Sequence, residues 1–346
     1  MSNKGRFLAT DKIPGLLKRL GGTYRVFAPV KVSDTVILFH EFKEGAQLAL
    51  NKQATLPPKE ILFPQTECLL SYTYHKDPEN LEKSEVQVEE TLEALPTIIF
   101  GARPCDARGL MVFDAVFNDG QWRDPYYKAR RKATTIVTIL CTQPENTCFC
   151  TSVGGGPTNT EGSDLVLTPV TGGYFAEPAT EKGGALLQDE AFALGHNKAD
   201  EAREEREKVS LESELELDGI AQCLLELFST DFWKQVSAKC ISCGACTYVC
   251  PTCYCFNITD ETAGVKGERI RTWDSCMFYQ YTLEASGHNP RPTKVERYRN
   301  RIGHKFSYHP TNYEGMFGCT GCGRCIKACP VSLDIRQVLR EVKVHG

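Results

Sequence analysis

Two cysteine repeats carry the clearest chemical signal in the sequence. In each repeat, four cysteines follow the spacing C-x2-C-x2-C-x3-C and a proline comes next. This spacing is a signature of cubane [4Fe–4S] clusters, in which three close thiolates bind one cluster and the fourth cysteine binds the other. The sequence therefore predicts two [4Fe–4S] clusters with crossed ligands. One cluster takes Cys240, Cys243, Cys246 and Cys329, and the other takes Cys319, Cys322, Cys325 and Cys250.

Zinc is the main alternative, because cysteines two residues apart also build zinc ribbons. A tetrahedral zinc ion would leave the third cysteine and the Cys-Pro of each repeat without a role. Cysteine occupies 17 of 346 positions, an odd number, and the cysteines cluster. Without a secretion signal, that pattern favours metal ligation over disulfides. Iron–sulfur clusters are the favoured interpretation, and a zinc-stapled scaffold without redox function is the alternative.

Composition excludes several other functions. Forty Lys and Arg stand against 44 Asp and Glu, a net charge of −4, which gives no electrostatic case for nucleic acid or an anionic membrane. No apolar run approaches the roughly 18–20 residues that span a bilayer, and residues 1–20 lack the apolar block of a signal peptide. The Gly-rich loops match no nucleotide-binding fingerprint. We expect a cytoplasmic protein without a nucleotide site of its own.

The sequence around the repeats predicts helices. Residues 224–236 and 335–344 carry apolar side chains every three to four positions, and residues 276–283 and 294–306, between the repeats, also look helical. A compact ferredoxin joins its two repeats through a short hairpin, whereas here residues 251–318 intervene. The C-terminal part therefore resembles the all-helical dicluster ferredoxin domain.

Two charged segments accompany these helices. The basic run at residues 298–301, together with Lys305, is most simply a solvated face, and a docking patch for an acidic partner is the alternative. Residues 197–217 are rich in both signs of charge and predict an exposed helix, stabilised by i,i+4 pairs, between the two halves of the chain.

The N-terminal half predicts a mixed α/β domain, so that the fold class of the whole chain is α+β. Short β-branched runs alternate there with helical patterns. We expect this domain over residues 1–195, a charged helical linker over 196–222 and the helical dicluster domain over 223–346. The predicted strands are residues 35–39, 97–100, 134–140 and 164–168, and the predicted helices are 13–20 and 107–117.

Four cysteines of the N-terminal half are candidates for a third [4Fe–4S] cluster. Cys105 and Cys141 each follow a predicted strand, and Cys148 and Cys150 form a C-x-C pair in a loop rich in Gly and Pro. If the two strands are parallel, both thiols lie at the carboxyl edge of one sheet, where α/β proteins build sites. The alternative is a set of buried thiols, because free cysteine packs as a small hydrophobe.

Five further cysteines remain. Cys253, Cys255 and Cys276 lie near the first repeat and either tune a cluster, form a small redox site or pack in the apolar surroundings of a cluster, of which packing is the simplest. Cys68 and Cys223 are interpreted as ordinary core positions. No Ser/His/Asp triad or His-Glu-x-x-His zinc motif is present, so no catalytic residue is predicted.

Five segments, in order with the repeats, give the chain a family resemblance. They read PPKEILFPQ at 57–65, FGARPCD at 100–106, CFCTSVGGGP at 148–157, CPTCYCF at 250–256 and WDSC at 273–276. From about residue 25 to 342, the chain resembles the iron–sulfur beta subunits of cytoplasmic sulfhydrogenases, also called hydrogenase/sulfur reductases. The alpha subunit of anaerobic sulfite reductase and the iron–sulfur subunits of flavin oxidoreductases linked to heterodisulfide reductase share the pattern.

The resemblance implies an anaerobic electron-transfer subunit that works in a hetero-oligomeric complex. It would relay electrons between a flavoprotein subunit that binds NAD(P)H and a further redox subunit, and it would need no turnover site of its own. The alternative is a subunit that reduces sulfur compounds at the N-terminal cysteines or at Cys253, Cys255 and Cys276.

Overall fold

The computed structural model describes residues 5–80, 82–195, 198–211 and 215–346. Parts of the predicted N-terminal domain and linker, including Asn197 where the charged segment begins, lie outside the described residues. In chain order the elements are β1 (Arg6–Ala9), α1 (Ile13–Leu20), β2 (Arg25–Lys31), β3 (Ile37–Glu41), α2 (Lys59–Leu62), β4 (Thr66–Lys76), β5 (Ser84–Glu90), β6 (Thr97–Ala102), α3 (Pro104–Phe117), α4 (Pro125–Ala133), β7 (Thr134–Ile139), β8 (Leu165–Val170), β9 (Gly173–Pro178), α5 (Glu181–Leu186) and β10 (Phe192–Leu194). They continue with α6 (Ala199–Glu207), α7 (Ile220–Glu226), α8 (Phe232–Val236), α9 (Ala245–Tyr248), β11 (Phe256–Ala263), β12 (Lys266–Trp273), α10 (Lys294–Gly303), a π-helical turn (His304–Tyr308), α11 (His309–Asn312), α12 (Arg324–Lys327) and α13 (Ile335–His345).

A mixed sheet forms the centre of the N-terminal half. In the described part of the chain it has eight strands in the order β10-β1-β9-β8-β7-β6-β2-β3. β2, β6, β7 and β8 are parallel, and the flanking strands pair antiparallel. The predicted strands and the mixed α/β character are confirmed. α3 begins at Pro104, earlier than predicted, because Pro is favoured in the first turn and Asp106 accepts a hydrogen bond from the Arg103 N–H.

The two central strands are buried on both faces, as parallel strands usually are. On β6, Ile98 and Phe100 belong to the core that includes Leu16 of α1. Ile99 faces the opposite core, which includes Phe113 of α3. The period of two along the strand thus divides its side chains between two cores.

The expected all-helical C-terminal half is not confirmed, because β11 and β12 form a hairpin between the two repeats. β12 pairs with β4 and β4 with β5, so that this antiparallel sheet joins strands from both halves of the chain. Almost every residue of β11 is exposed. A strand without a buried face shows no apolar alternation, and its partner β4 is remote in sequence. The domain boundaries at 195 and 222 stay predictions.

The predicted helices of the second half are confirmed only in part. Residues 294–306 and 335–344 are helical, whereas residues 276–283 contain only a short 3-10 turn, Gln280–Thr282. The charged segment forms the short helix α6, whose Arg206 donates to Thr168 and pairs with Glu177 on the main sheet.

The second repeat joins the two halves. Arg324 pairs with Asp106 of α3 at 2.6 Å, and both side chains are about 1% exposed. Arg324 also donates to the carbonyl oxygen of Ala54 at 2.8 Å. A Cβ on Gly321 would lie 2.6 Å from backbone atoms of Cys150, so the backbones meet in direct contact.

We predict that Asp106→Asn lowers the free energy of unfolding by about 3–5 kcal/mol, because it leaves the buried Arg324 guanidinium without its counter-charge. Urea denaturation of the anaerobically prepared chain measures this loss. Glu145→Gln is the control, because Glu145 pairs with Lys327 across the same junction with both side chains well exposed; its loss should stay below about 1 kcal/mol. Equal losses in the two variants would contradict the assigned role of the buried pair.

Candidate iron–sulfur centres

Each repeat is a tight loop that leads into a one-turn helix. Ser242 and Gly321 occupy equivalent positions and have φ angles of 57° and 63°. In this left-handed conformation their N–H groups point at the preceding cysteine sulfur, and each donates to it at 3.4 Å, Ser242 to Cys240 and Gly321 to Cys319. Backbone N–H groups directed at sulfur are one of the means by which proteins set cluster potentials.

The loops surround two cavities, and each cavity brings a distant cysteine to three close ones. Cys325 and Arg301 line both, so the cavities are adjacent. This arrangement is the one that crossed ligation requires. The first cavity is lined by Cys240, Cys243, Cys246 and Cys329 among others, and the second by Cys250, Cys319, Cys322 and Cys325.

A buried lysine contacts the second set of cysteines. Lys305 is 3% exposed, and its ammonium lies 3.3 Å from the Cys250 sulfur. It also donates to the Gly318 carbonyl oxygen at 2.7 Å and to the Thr252 hydroxyl at 3.0 Å. Burial disfavours the ammonium, but the thiolates of Cys250 and Cys253 more than offset this, and the pKa of Lys305 is raised. Lys305 therefore remains charged beside the sulfur ligands.

The predicted solvated basic face is wrong, because Tyr298, Arg301 and Lys305 are buried. They lie three and four residues apart, which places them on one face of α10 and the π-helical turn that follows. Arg301 donates to the Cys246 carbonyl oxygen at 3.1 Å and lies 3.9 Å from the Cys253 sulfur. The π-helical turn contains Lys305, and such turns often occur at functional sites.

The donor set fits an iron–sulfur cluster. Burial raises the pKa of Cys319 to about 11 and also raises the pKa values of Cys322 and Cys325. Free thiols there would be protonated, whereas a coordinating metal deprotonates its thiol ligands. Lys305 and Arg301 then compensate the thiolate charge. Soft sulfur ligands, directed N–H groups and buried cations together are the surroundings that a [4Fe–4S] cluster requires.

The four N-terminal cysteines lie together beside the second repeat. β6 and β7 are parallel, so Cys105 and Cys141 do lie at one edge of the sheet. The Phe149 N–H between Cys148 and Cys150 donates to the Gly321 carbonyl oxygen at 2.8 Å.

Two of the remaining thiols lie at the base of the β11–β12 hairpin, and two others lie on β4 and on α7. Cys255 precedes β11 and Cys276 follows β12, at the base of the hairpin, where the Asp274 N–H donates to the Cys255 carbonyl oxygen at 2.9 Å. The Cys276 thiol donates to Cys255, and Tyr281 does so as well, which lowers the pKa of Cys255 to about 6. Cys68 on β4 and Cys223 on α7 lie elsewhere, and Cys223 packs against the C-terminal core.

Sequence reasoning missed two polar residues near the cysteines, the buried Lys59 and the half-buried Gln53. Lys59 lies 4.1 Å from the centre of the Trp273 ring and donates to the Cys253 carbonyl oxygen at 2.9 Å. Gln53 donates to the Cys322 carbonyl oxygen at 3.1 Å. Lys59 and Trp273 both belong to segments that carry the family resemblance, and this was the signal available for them. Gln53 had none.

Among the described residues, no group of three or more Cys, His, Asp or Glu side chains is gathered as the ligands of a single metal ion. No helix in the same residues is long and apolar enough to cross a membrane.

Comparison with known proteins decides the family. Residues 239–333 match the family of 4Fe-4S dicluster domains. The chain is 31% identical over 343 residues to the sulfhydrogenase 2 beta subunit of Pyrococcus furiosus, and the alignment covers 97% of each protein. The chain belongs to the sulfhydrogenase beta-subunit family. The resemblance found in the sequence is thereby confirmed, and the 4Fe-4S domain supports [4Fe–4S] clusters over zinc. No solved structure matches the chain.

We predict that Lys305→Met lowers the midpoint potential of the cluster bound at the second cavity by on the order of 100 mV, from a unit charge about 6 Å away at an effective dielectric constant of about 20. The potential falls because the ammonium favours the reduced, more negative cluster. A redox titration followed by EPR measures the shift. Lys239→Met is the control, because Lys239 precedes Cys240 but is exposed to solvent and salt. A shift of the same size in both variants would show that burial of Lys305 has no special effect.

Proposed function

We propose that the chain is an electron-transfer subunit that relays single electrons between an NAD(P)H-binding flavoprotein subunit and a further redox subunit. That further subunit would be of the hydrogenase, sulfite or sulfur reductase, or heterodisulfide reductase type. The observation that carries the proposal is the adjacency of two cysteine-lined cavities that share Cys325 and Arg301. A [4Fe–4S] cluster supplies one-electron chemistry with little rearrangement.

In this proposal the chain's own residues place and insulate the redox centres. The eight repeat cysteines hold two clusters with crossed ligands. Lys305 and Arg301 counter the charge of the thiolates, and their burial keeps this effect strong, since solvent and salt screen buried charges little. Met277 and Ile335 line the first cavity and exclude water from it. No acid, base or nucleophile is required, because the cofactors carry the redox chemistry.

Electrons would reach the protein surface through the first cavity, because residues that line it are exposed. Cys243 is exposed, and the neighbouring Ile241 is 61% exposed. Cys250, Cys319 and Cys322, by contrast, are buried. We therefore propose that one partner subunit docks over Ile241 and exchanges electrons through the first cluster.

Two observations support the proposed partners: the chain is similar to a beta subunit, and its sequence contains no nucleotide-binding fingerprint. The Pyrococcus furiosus relative is the beta subunit of a multi-subunit enzyme. Without a nucleotide fingerprint, the purified chain should bind neither NAD(P)H nor flavin tightly and should accept electrons from NAD(P)H only through a flavoprotein. The reducing cytoplasm, which keeps thiols available as ligands, is the compartment we propose.

Crossed ligation makes a specific prediction. Cys250→Ala should alter the EPR signal of the cluster held by Cys319, Cys322 and Cys325, although Cys250 belongs to the first repeat in sequence. Cluster-resolved EPR of the dithionite-reduced chain measures this, with Cys68→Ala as a control that should change neither signal. Loss of the signal assigned to Cys240, Cys243 and Cys246 instead would refute the crossing.

The docking proposal predicts that Ile241→Glu slows reduction of the chain by its partner about tenfold, equivalent to about 1.4 kcal/mol of binding free energy. Stopped-flow measurement at subsaturating partner concentration tests it. Val265→Glu is the control, because Val265 is 52% exposed but lies in the turn of the β11–β12 hairpin. Unchanged rates in Ile241→Glu, with both clusters present, would place the docking surface elsewhere.

One observation favours a second candidate function, reduction of sulfur compounds. The hydrogen bonds from Cys276 and Tyr281 stabilise the Cys255 thiolate near neutral pH, and a thiolate is the reactive form of cysteine. The test is turnover of a sulfur compound by the isolated chain with an artificial electron donor. Activity that Cys255→Ser abolishes would support this candidate, and no turnover would leave electron relay as the function.

A further inference from the structure

The topology of the main sheet brings Cys105 and Cys141 together. Cys105 is three residues past the end of β6, Cys141 is two residues past the end of β7, and these strands pair in parallel. The carboxyl edge of a parallel sheet is a common place for binding sites. The loop that carries the other two thiols returns to the same edge, because the Cys141 N–H donates to the Pro157 carbonyl oxygen at 2.9 Å.

The backbone of the second repeat links these thiols from the other side. Gln53 donates both to the Cys105 sulfur, at 3.6 Å, and to the Cys322 carbonyl oxygen, at 3.1 Å. The Cys148 sulfur lies 3.9 Å from the same carbonyl oxygen. Cys105 and Cys148, which are remote in sequence, therefore both border Cys322, a proposed ligand of the second cluster.

Buried polar atoms without partners concentrate around this junction. Four such side-chain atoms occur in the described part of the chain, and three of them belong to Thr147, Thr320 and Arg324. Thr147 precedes Cys148, and the other two lie within the second repeat. A buried polar group without a partner is costly, and in a native protein such a group often faces a bound ion or water. The sulfur atoms of a cluster accept hydrogen bonds from such groups.

Positively charged side chains lie close to the four thiols, as the binding of thiolate ligands requires. Arg324 and Arg103 are 2% and 5% exposed, and their charges oppose the rise that burial causes in the pKa values of Cys105 and Cys141. The buried Arg103 is the counterpart here of Lys305 and Arg301 at the repeats, whereas the charge of Arg324 is already paired with Asp106.

We infer that Cys105, Cys141, Cys148 and Cys150 bind a third [4Fe–4S] cluster. This inference rests on the proposed function, which it deepens by extending the relay from the second cavity into the N-terminal half. Because Cys105 and Cys148 border Cys322, the third centre is next to the second, whereas the exposed Cys243 belongs to the first.

The test measures the number of iron and acid-labile sulfide atoms per chain in the full-length protein after anaerobic reconstitution. Three clusters give about twelve irons per chain, and two give about eight. The double variant Cys148→Ser with Cys150→Ser should lose about four irons and keep the EPR signals of the two repeat clusters. The control Cys68→Ser with Cys223→Ser should keep all twelve.

The outcomes separate this inference from the proposed function. Eight irons in the unmodified chain, or unchanged iron in the double variant, would overturn the third cluster and leave the relay through the repeats intact. If the unmodified chain itself lacks the EPR signals of the two repeat clusters, the proposed electron relay is refuted instead. If the double variant also loses those signals, the iron count of the unmodified chain and of Cys141→Ser, altered at the other side of the site, decides the question.

Discussion

Sulfur ligands that carry negative charge can be buried in an apolar interior only if positive charge lies beside them. The fold meets this constraint with side chains from one helical face. Arg301 projects from α10 and lines both cavities, Lys305 projects from the π-helical turn and lines the second, and both are 3% exposed. The buried cations and the thiolate ligands therefore stabilise each other.

The second repeat has a further task, because it is also the junction between the two halves of the chain. Gly321 and Gly323 allow the loop around Cys150 to approach within contact distance, and a Cβ on either glycine would collide with its backbone. The buried Arg324–Asp106 pair fixes α12 against α3. A redox centre at this repeat would thus lie against α3 and the carboxyl edge of the main sheet.

The sequence predicted most of what short-range patterns determine. The cysteine spacing predicted the sets that share each cavity, and short β-branched runs predicted the central strands β6 and β7. It could not predict the β11–β12 hairpin, because β11 lacks a buried face and β12 pairs with the distant β4. It also misjudged Lys305 and Arg301, because charged residues at helical spacing normally indicate a solvated face. Only the fold reveals that this face is directed at buried sulfur.

The central claim is that the two repeats hold two clusters in adjacent, crossed sites. EPR of the fully dithionite-reduced Cys148→Ser, Cys150→Ser variant, which isolates the repeat clusters, tests it most directly, since paramagnetic centres this close must influence each other. The account predicts two reduced [4Fe–4S] spins per chain, with spectra broadened by mutual coupling at full reduction and simplified at half reduction. Two uncoupled spectra that simply add, or only one paramagnetic cluster per chain, would contradict it.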